Sequence, residues 1–180
     1  FVENGFRSWK TAIGDVAAAG RWLVREKIAD PAKLAIVGWS YGGYAALQAA
    51  ATEPGLFKAV VAIAPVTDLQ QLKDDARYYT NAANVADEIG TGPHVAEGSP
   101  LRRAAEINAP VLLFHGDRDL NVNVIHSRRM DEALRGAGKS SELTIFPGLE
   151  HDLADSDVRT RMLTRIGAFL STAIGGGSAH

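Results

Sequence analysis

The sequence predicts an α/β protein, a parallel sheet of about four strands with helices on both faces. Three observations carry that expectation. Short apolar runs recur at residues 34–37, 59–64, 110–114 and 142–146. Stretches with helical spacing of apolar residues separate or follow them. The first run passes through one tight turn straight into a stretch of helix formers.

The elements follow in order. Ile13, Val16, Gly20, Leu23, Val24 and Ile28 fall on one helical face, and Asp30-Pro31 breaks that helix. Leu34–Val37 is the first strand, and the helix after Ser40 ends near Glu53-Pro54-Gly55. Ala59–Ala64 reads as a buried strand. Residues 66–98 are mixed, with Gly90-Thr91-Gly92-Pro93 marking a loop. Ser99-Pro100 has the chemistry of a helix start, serine as cap and proline in the first turn. Pro110–Phe114 is the third strand, and a helix runs from about Val124 to Ala137 before Gly138. Glu142–Phe146 is a fourth strand, expected to be shorter and more exposed. Val158, Met162, Ile166, Phe169, Leu170 and Ile174 stripe the last helix. Residues 1–174 thus form one domain, and 175–180, rich in glycine, a flexible tail.

Composition narrows the function. At 46% hydrophobic and 22% charged, the chain is ordinary globular material. A net charge of −2 gives no electrostatic reason to bind nucleic acid or an anionic membrane. No apolar run approaches a membrane span. The absence of cysteine excludes disulfides, thiolate catalysis and cysteine metal sites. It fits cytoplasm, periplasm or export equally well, so the compartment stays open.

Gly38-Trp39-Ser40-Tyr41-Gly42-Gly43 is the most informative stretch. Gly-x-Ser-x-Gly between a strand and a helix is a nucleophile elbow, which lifts a serine onto a strained turn. Small residues are expected two positions either side, where larger ones would collide with the turning backbone. Average residue usage yields the three fixed residues by chance about 0.06 times in a chain this long.

A serine hydroxyl needs a histidine base, and the histidine needs a carboxylate to fix its tautomer. In open parallel sheets such groups collect at the carboxyl ends of strands. Past the third strand comes His115-Gly116-Asp117-Arg118-Asp119, and past the fourth Pro147-Gly148-Leu149-Glu150-His151-Asp152. The order Ser, Asp, His is that of the α/β-hydrolase type. Five histidines compete for the base. His180 lies in the tail, His94 in the Gly/Pro loop, His126 inside or at the start of a helix, and His115 at a strand end where burial and a structural role are expected. His151 alone sits in a loop after a late strand, and is the favoured base. Asp117 and Asp119 both qualify as the acid, although Asp117 could instead cap its own turn. Asp152 and Glu150 read as solvated loop charges.

Together Gly38–Tyr44, Ala64-Pro65-Val66, His115-Gly116-x-x-Asp119-x-Asn121-Val122 and Pro147-Gly148-x-x-His151 resemble the catalytic domain of the prolyl oligopeptidase family. The dipeptidyl-peptidase and acylaminoacyl-peptidase branches are most similar. The resemblance implies a serine peptidase acting on short peptides or acylated peptide N-termini through an acyl-enzyme, with no cofactor and no metal. It implies Ser40, Asp119 and His151 as the triad, selecting Asp119 over Asp117. It implies the Tyr41 N–H as one oxyanion donor, and Tyr41, Val66, Asn121 and Val122 as substrate-pocket residues. It also implies a partial α/β-hydrolase fold. The N-terminal strands of the family's sheet, a loop tyrosine that donates to the oxyanion, and a β-propeller have no counterpart in residues 1–33. The first strand is then expected to be an open edge, paired with a second copy or with the missing N-terminal portion, or covered by Phe1, Phe6 and Trp9. The first helix would lose part of the sheet it packs on. An esterase with the same triad, or a catalytically silent module stabilised by association, are the alternative readings.

Overall fold

A computed structural model describes residues 5–175. Four parallel strands form one sheet in the order β1-β2-β3-β4: β1 Ala35–Trp39, β2 Ala59–Ile63, β3 Val111–Gly116 and β4 Ser141–Phe146. Ala35 pairs with Ala59, Val60 with Val111, and Val111 with Ser141. The strands are in parallel register and their carboxyl ends share one edge of the sheet, the edge that receives the elbow and the later loops.

Side-chain alternation along β2 and β3 builds the two faces. Val60 and Ala62 of β2, with Val111 and Leu113 of β3, face Leu47 and Ala50 of α2 (Tyr41–Thr52) and Met130 and Leu134 of α6 (Ile125–Gly136). Ala59, Val61 and Ile63, with Leu112 and Phe114, face Val158, Met162, Ile166 and Phe169 of α7 (Ser156–Ile174). Both faces of the central strands are therefore covered, as the continuous apolar runs required. Asp155 starts α7 by accepting the Val158 N–H at 2.8 Å.

Several expectations are corrected. Helix α1 (Trp9–Arg25) buries Trp9, Ile13, Ala17 and Gly20. That face lies against Tyr44, Ala45 and Ala49 of α2 with Leu34 and Phe57, so α1 rests on a helix more than on the sheet. Ile28 leaves the stripe and is 63% exposed, because the helix ends at Arg25 and Lys27 turns to φ 59. The mixed segment holds three short helices, α3 (Leu69–Ala76), α4 (Ala82–Ile89) and α5 (Pro93–Glu97). Ser99 does not cap the 3₁₀ helix Pro100–Glu106. Its hydroxyl accepts the Leu69 N–H at 2.9 Å and donates to the Val95 carbonyl at 2.6 Å, because the buried start of α3 needs that acceptor more. Strand β4 is as long as β3, although it is the more exposed.

Among the described residues no strand pairs with the outer side of β1, and Val37 there is 50% exposed. Phe6 and Trp9 do not cover that edge. Phe6 packs on Tyr41 and Tyr44, with ring centroids 5.2 and 5.0 Å away, and Trp9 is buried beside Gly98. Phe1 and the tail residues from Gly176 onward lie outside the described residues.

Candidate active site

Ser40 stands between β1 and α2 with φ 56 and ψ −118. A side-chain-bearing residue in that region carries about 1–3 kcal/mol of strain, tolerated only when its surroundings hold it. They do. The Ser40 N–H donates to the Ile63 carbonyl at 2.8 Å, and its own carbonyl accepts the Tyr44 N–H at 3.0 Å. Ala64 after β2 (φ 45) and Leu153 (φ 46), two residues past His151, are left-handed as well. Three strained residues thus gather at the carboxyl end of the sheet.

The elbow's small residues are only partly explained by collision. A Cβ on Gly38 would run into the Gly42 carbonyl, so glycine is required there. A Cβ on Gly42 would meet nothing within 4 Å, which corrects the expectation of a clash on both sides. The crowded neighbour is Gly43, whose Cβ would lie 3.0 Å from the Pro65 side chain and 3.1 Å from the Ile63 carbonyl. Tyr41 occupies the first position of α2, where backbone N–H groups and the positive end of the helix dipole face the turn.

The two loops bring Asp119 and His151 together. His151 Nδ1 lies 2.7 Å from Asp119 Oδ2. The other carboxylate oxygen accepts the N–H groups of Asn121 and Val122, each at 2.9 Å. Asp119 is only 5% exposed. Burial alone would push its carboxyl up, but hydrogen bonds from His115, His151 and the Val122 N–H outweigh this and hold it far below the usual carboxylate range. The Asp119 hydrogen bond raises His151 above its ordinary value against the opposing effect of burial, with the Asp119 and Asp152 charges adding to the rise.

Asp117 has a different task. Its Oδ1 accepts the Gly148 N–H at 2.6 Å and so ties the β3 loop to the loop that carries His151. Gly116 lets the carbonyls of Leu149 and Glu150 pass close by. Sequence reasoning missed Trp39, whose indole N–H donates to the His151 carbonyl at 3.3 Å. Asp152 and Glu150 are exposed.

The remaining histidines are structural in their surroundings. His115 is fully buried. His126 is buried in the first turn of α6, its Nδ1 accepting the Thr67 N–H at 3.1 Å. His94 is bonded to the Ile89 carbonyl at 2.7 Å, and His180 lies outside the described residues. Among the described residues no group of three or more His, Asp or Glu side chains is arranged to hold a metal ion. No helix there is long and apolar enough to cross a membrane.

The expected pocket residues are spread over different surroundings. Val66 and Val122 are buried in one cluster with Tyr44 and Leu69, and Tyr41 is half-buried against it. Asn121 is exposed and borders a cavity of about 360 Å³, with Leu72, Tyr79, Val85 and Leu120 among its walls. Asp75 also lines it, with Oδ2 3.6 Å from His126 Nε2. Burial would raise the Asp75 carboxyl, but His126 and Gln71 together hold it below its ordinary value. The signal for this wall was present in the sequence: Leu69, Leu72 and Ala76, then Ala82, Val85 and Ile89, have helical spacing.

The model of the prolyl oligopeptidase family matches residues 1–177. The chain belongs to that family. Prolyl oligopeptidase relatives include a probable dipeptidyl-aminopeptidase B of Metarhizium robertsii, 29% identical over 164 residues, which are 90% of this chain and 18% of that protein. The mouse (Mus musculus) prolyl endopeptidase FAP is 27% identical over 159 residues, 88% of this chain and 21% of its own length. The chain therefore spans about a fifth of the curated relatives it matches. Among solved structures, a Mycobacterium tuberculosis puromycin-hydrolyzing peptidase superimposes with a TM-score of 0.84 at 32% identity, over 91% of this chain and 25% of that one. Porphyromonas gingivalis dipeptidyl peptidase 4 superimposes with a TM-score of 0.79 at 27% identity, over 89% and 22%. The sheet is accordingly part of a prolyl oligopeptidase α/β-hydrolase domain.

Proposed function

We propose that this chain carries the catalytic residues of a serine peptidase that hydrolyses short peptides or acylated peptide N-termini. The observation that carries the reading is the 2.7 Å contact between His151 Nδ1 and the buried Asp119 carboxylate, at the sheet edge where Ser40 sits on a strained elbow. Ser40 Oγ attacks the scissile carbonyl as His151 Nε2 takes its proton. Asp119 holds the Nδ1–H and stabilises the imidazolium that forms. The Tyr41 N–H at the start of α2 receives the developing oxyanion, where a fixed donor is worth about 10²–10³ in turnover. The imidazolium then protonates the leaving amine, and an acyl-enzyme on Ser40 remains. Water attacks it with His151 as base, releasing the acid and restoring the serine. Tyr41, Val66, Asn121 and Val122 are proposed to border the bound substrate.

The relatives' names support a peptide substrate, and dipeptidyl peptidases and a puromycin-hydrolyzing peptidase stand among them. Fluorophosphonate labelling with mass spectrometry tests the reading. Modification of Ser40, lost in Ser40→Ala, is the expected result. A folded protein that takes no label would instead favour a catalytically silent module. Assembly belongs to the same proposal: the outer edge of β1 pairs with a further strand, from a second copy or from a longer chain. An open apolar edge otherwise templates uncontrolled association.

A further inference from the structure

Asp119 Oδ2 serves two imidazoles. His151 Nδ1 lies 2.7 Å from it and His115 Nε2 3.1 Å from it. The same His115 nitrogen is 2.8 Å from the Val122 carbonyl. Both neighbours of Nε2 are acceptors, so Nε2 carries a proton; the Val122 carbonyl takes the direct hydrogen bond and Asp119 Oδ2 shares the same N–H from 3.1 Å. Across the ring, Nδ1 lies 2.7 Å from Ser127 Oγ, whose hydroxyl can donate to it and fix that tautomer. His115 and Ser127 are both fully buried, one on β3 and the other on α6.

A carboxylate has about four lone-pair sites. Here three are filled by direct hydrogen bonds, Asn121 N–H and Val122 N–H on Oδ1 and His151 on Oδ2, and the shared His115 N–H faces the fourth from 3.1 Å. Without His115 the carboxylate would keep one free direction on the oxygen that faces the base. It could then rock about its Cβ–Cγ bond, or offer His151 more than one approach. We infer that His115, with its tautomer set by Ser127, is the positioning residue that aims Asp119 at His151. A motif histidine with no role in the proposed proton transfers thereby acquires one. The inference rests on the triad reading above, with Asp119 as the acid.

The effect has a definite sign. A second N–H on Oδ2 draws carboxylate charge away from the His151 bond, so its removal should strengthen the attraction for a proton on His151. Other charged groups beside this pair are Asp152, which also raises His151, and Arg159, which with Trp39, His151 and Asp152 lines a surface depression and bonds the Asp152 carbonyl at 2.7 Å.

The test is histidine-selective NMR titration of the full chain, with the His151 signal assigned by its loss in His151→Ala. His115→Leu should raise the His151 pKa by about half a unit to one unit. His115→Gln, which can offer an N–H at the same place, should restore most of the wild-type value. Ser127→Ala should shift it the same way by less, and it carries the test if His115→Leu does not fold. An unchanged His151 pKa in the folded leucine variant, or in Ser127→Ala when that variant alone folds, overturns the inference. The readout is independent of turnover. Persistent fluorophosphonate labelling of Ser40→Ala would sink the triad reading, whatever the titration showed.

Discussion

The indole of Trp39 donates to the backbone carbonyl of His151 at 3.3 Å, joining the last residue of β1 to the loop of the candidate base. The serine that follows Trp39 and the histidine it holds are 111 positions apart in the chain, yet they share this one anchor. Trp39→Phe keeps the ring and removes the donor. One neutral hydrogen bond is worth about 1 kcal/mol, so we expect about a fivefold loss in kcat/KM with an unchanged circular dichroism spectrum. An unaltered rate would make the contact incidental.

Ser40 trades stability for position. Ser40→Ala should abolish labelling with little change in melting, because alanine inherits the same backbone strain. Ser40→Gly should also abolish labelling yet raise stability by about 1 kcal/mol, since glycine adopts positive φ without the Cβ penalty. Thermal melts of the pair decide whether the elbow is strained.

The two aspartates should separate cleanly. Asp119→Asn should cost about 10⁴ in turnover by spoiling tautomer control. Asp117→Asn should cost far less in rate but about 1 kcal/mol in stability, because it weakens the acceptor for the Gly148 N–H. Steady-state kinetics and denaturant melts on both variants check this. A reversed order of rates would make Asp117 the acid.

As the proposed base His151 would act only when neutral, so kcat/KM should fall as pH drops through its pKa. That pKa lies above the ordinary 6.5 because of Asp119, and the acid limb should lie there too. The linkage to stability runs the same way. A raised folded pKa contributes stability that is fully present below the unfolded value and is lost as pH rises through the folded value. His151→Ala should therefore destabilise the fold more at pH 5 than at pH 9, as read from melting curves. Asp119, held far below its usual range, contributes stability that is full above its unfolded pKa and is lost progressively as pH falls from there through the folded value.

The edge of β1 predicts association. Light scattering on the purified 180-residue chain should show a dimer or larger species. Val37→Lys, placing a charge on that 50% exposed edge position, should reduce it. A monomer with a cooperative melt would refute the open-edge proposal.

The sequence by itself determined what local rules govern. Apolar runs flanked by helical stripes specify a parallel sheet, because both faces of each central strand must be dry. The Gly38–Gly43 motif specifies a tight strand-to-helix turn with Ser40 at its apex, because that backbone path leaves no room for a Cβ at Gly38. Chain order placed Asp119 and His151 after β3 and β4, since the carboxyl ends of parallel strands converge on one edge. What the tertiary structure decided are contacts between residues remote in sequence. No spacing rule reveals that His115 Nε2 reaches the oxygen already bound to His151, that Asp117 clasps Gly148, or that Ser99 serves Leu69 rather than its own helix. Helices α3 and α4 each left only three apolar residues at helical spacing, a weak signal in eight residues, and α5 is too short to leave one; their burial depends on neighbours such as Trp9 and Tyr44. Side-chain partners are chosen by whichever buried donor or acceptor most needs satisfying, and that competition exists only once the chain has folded.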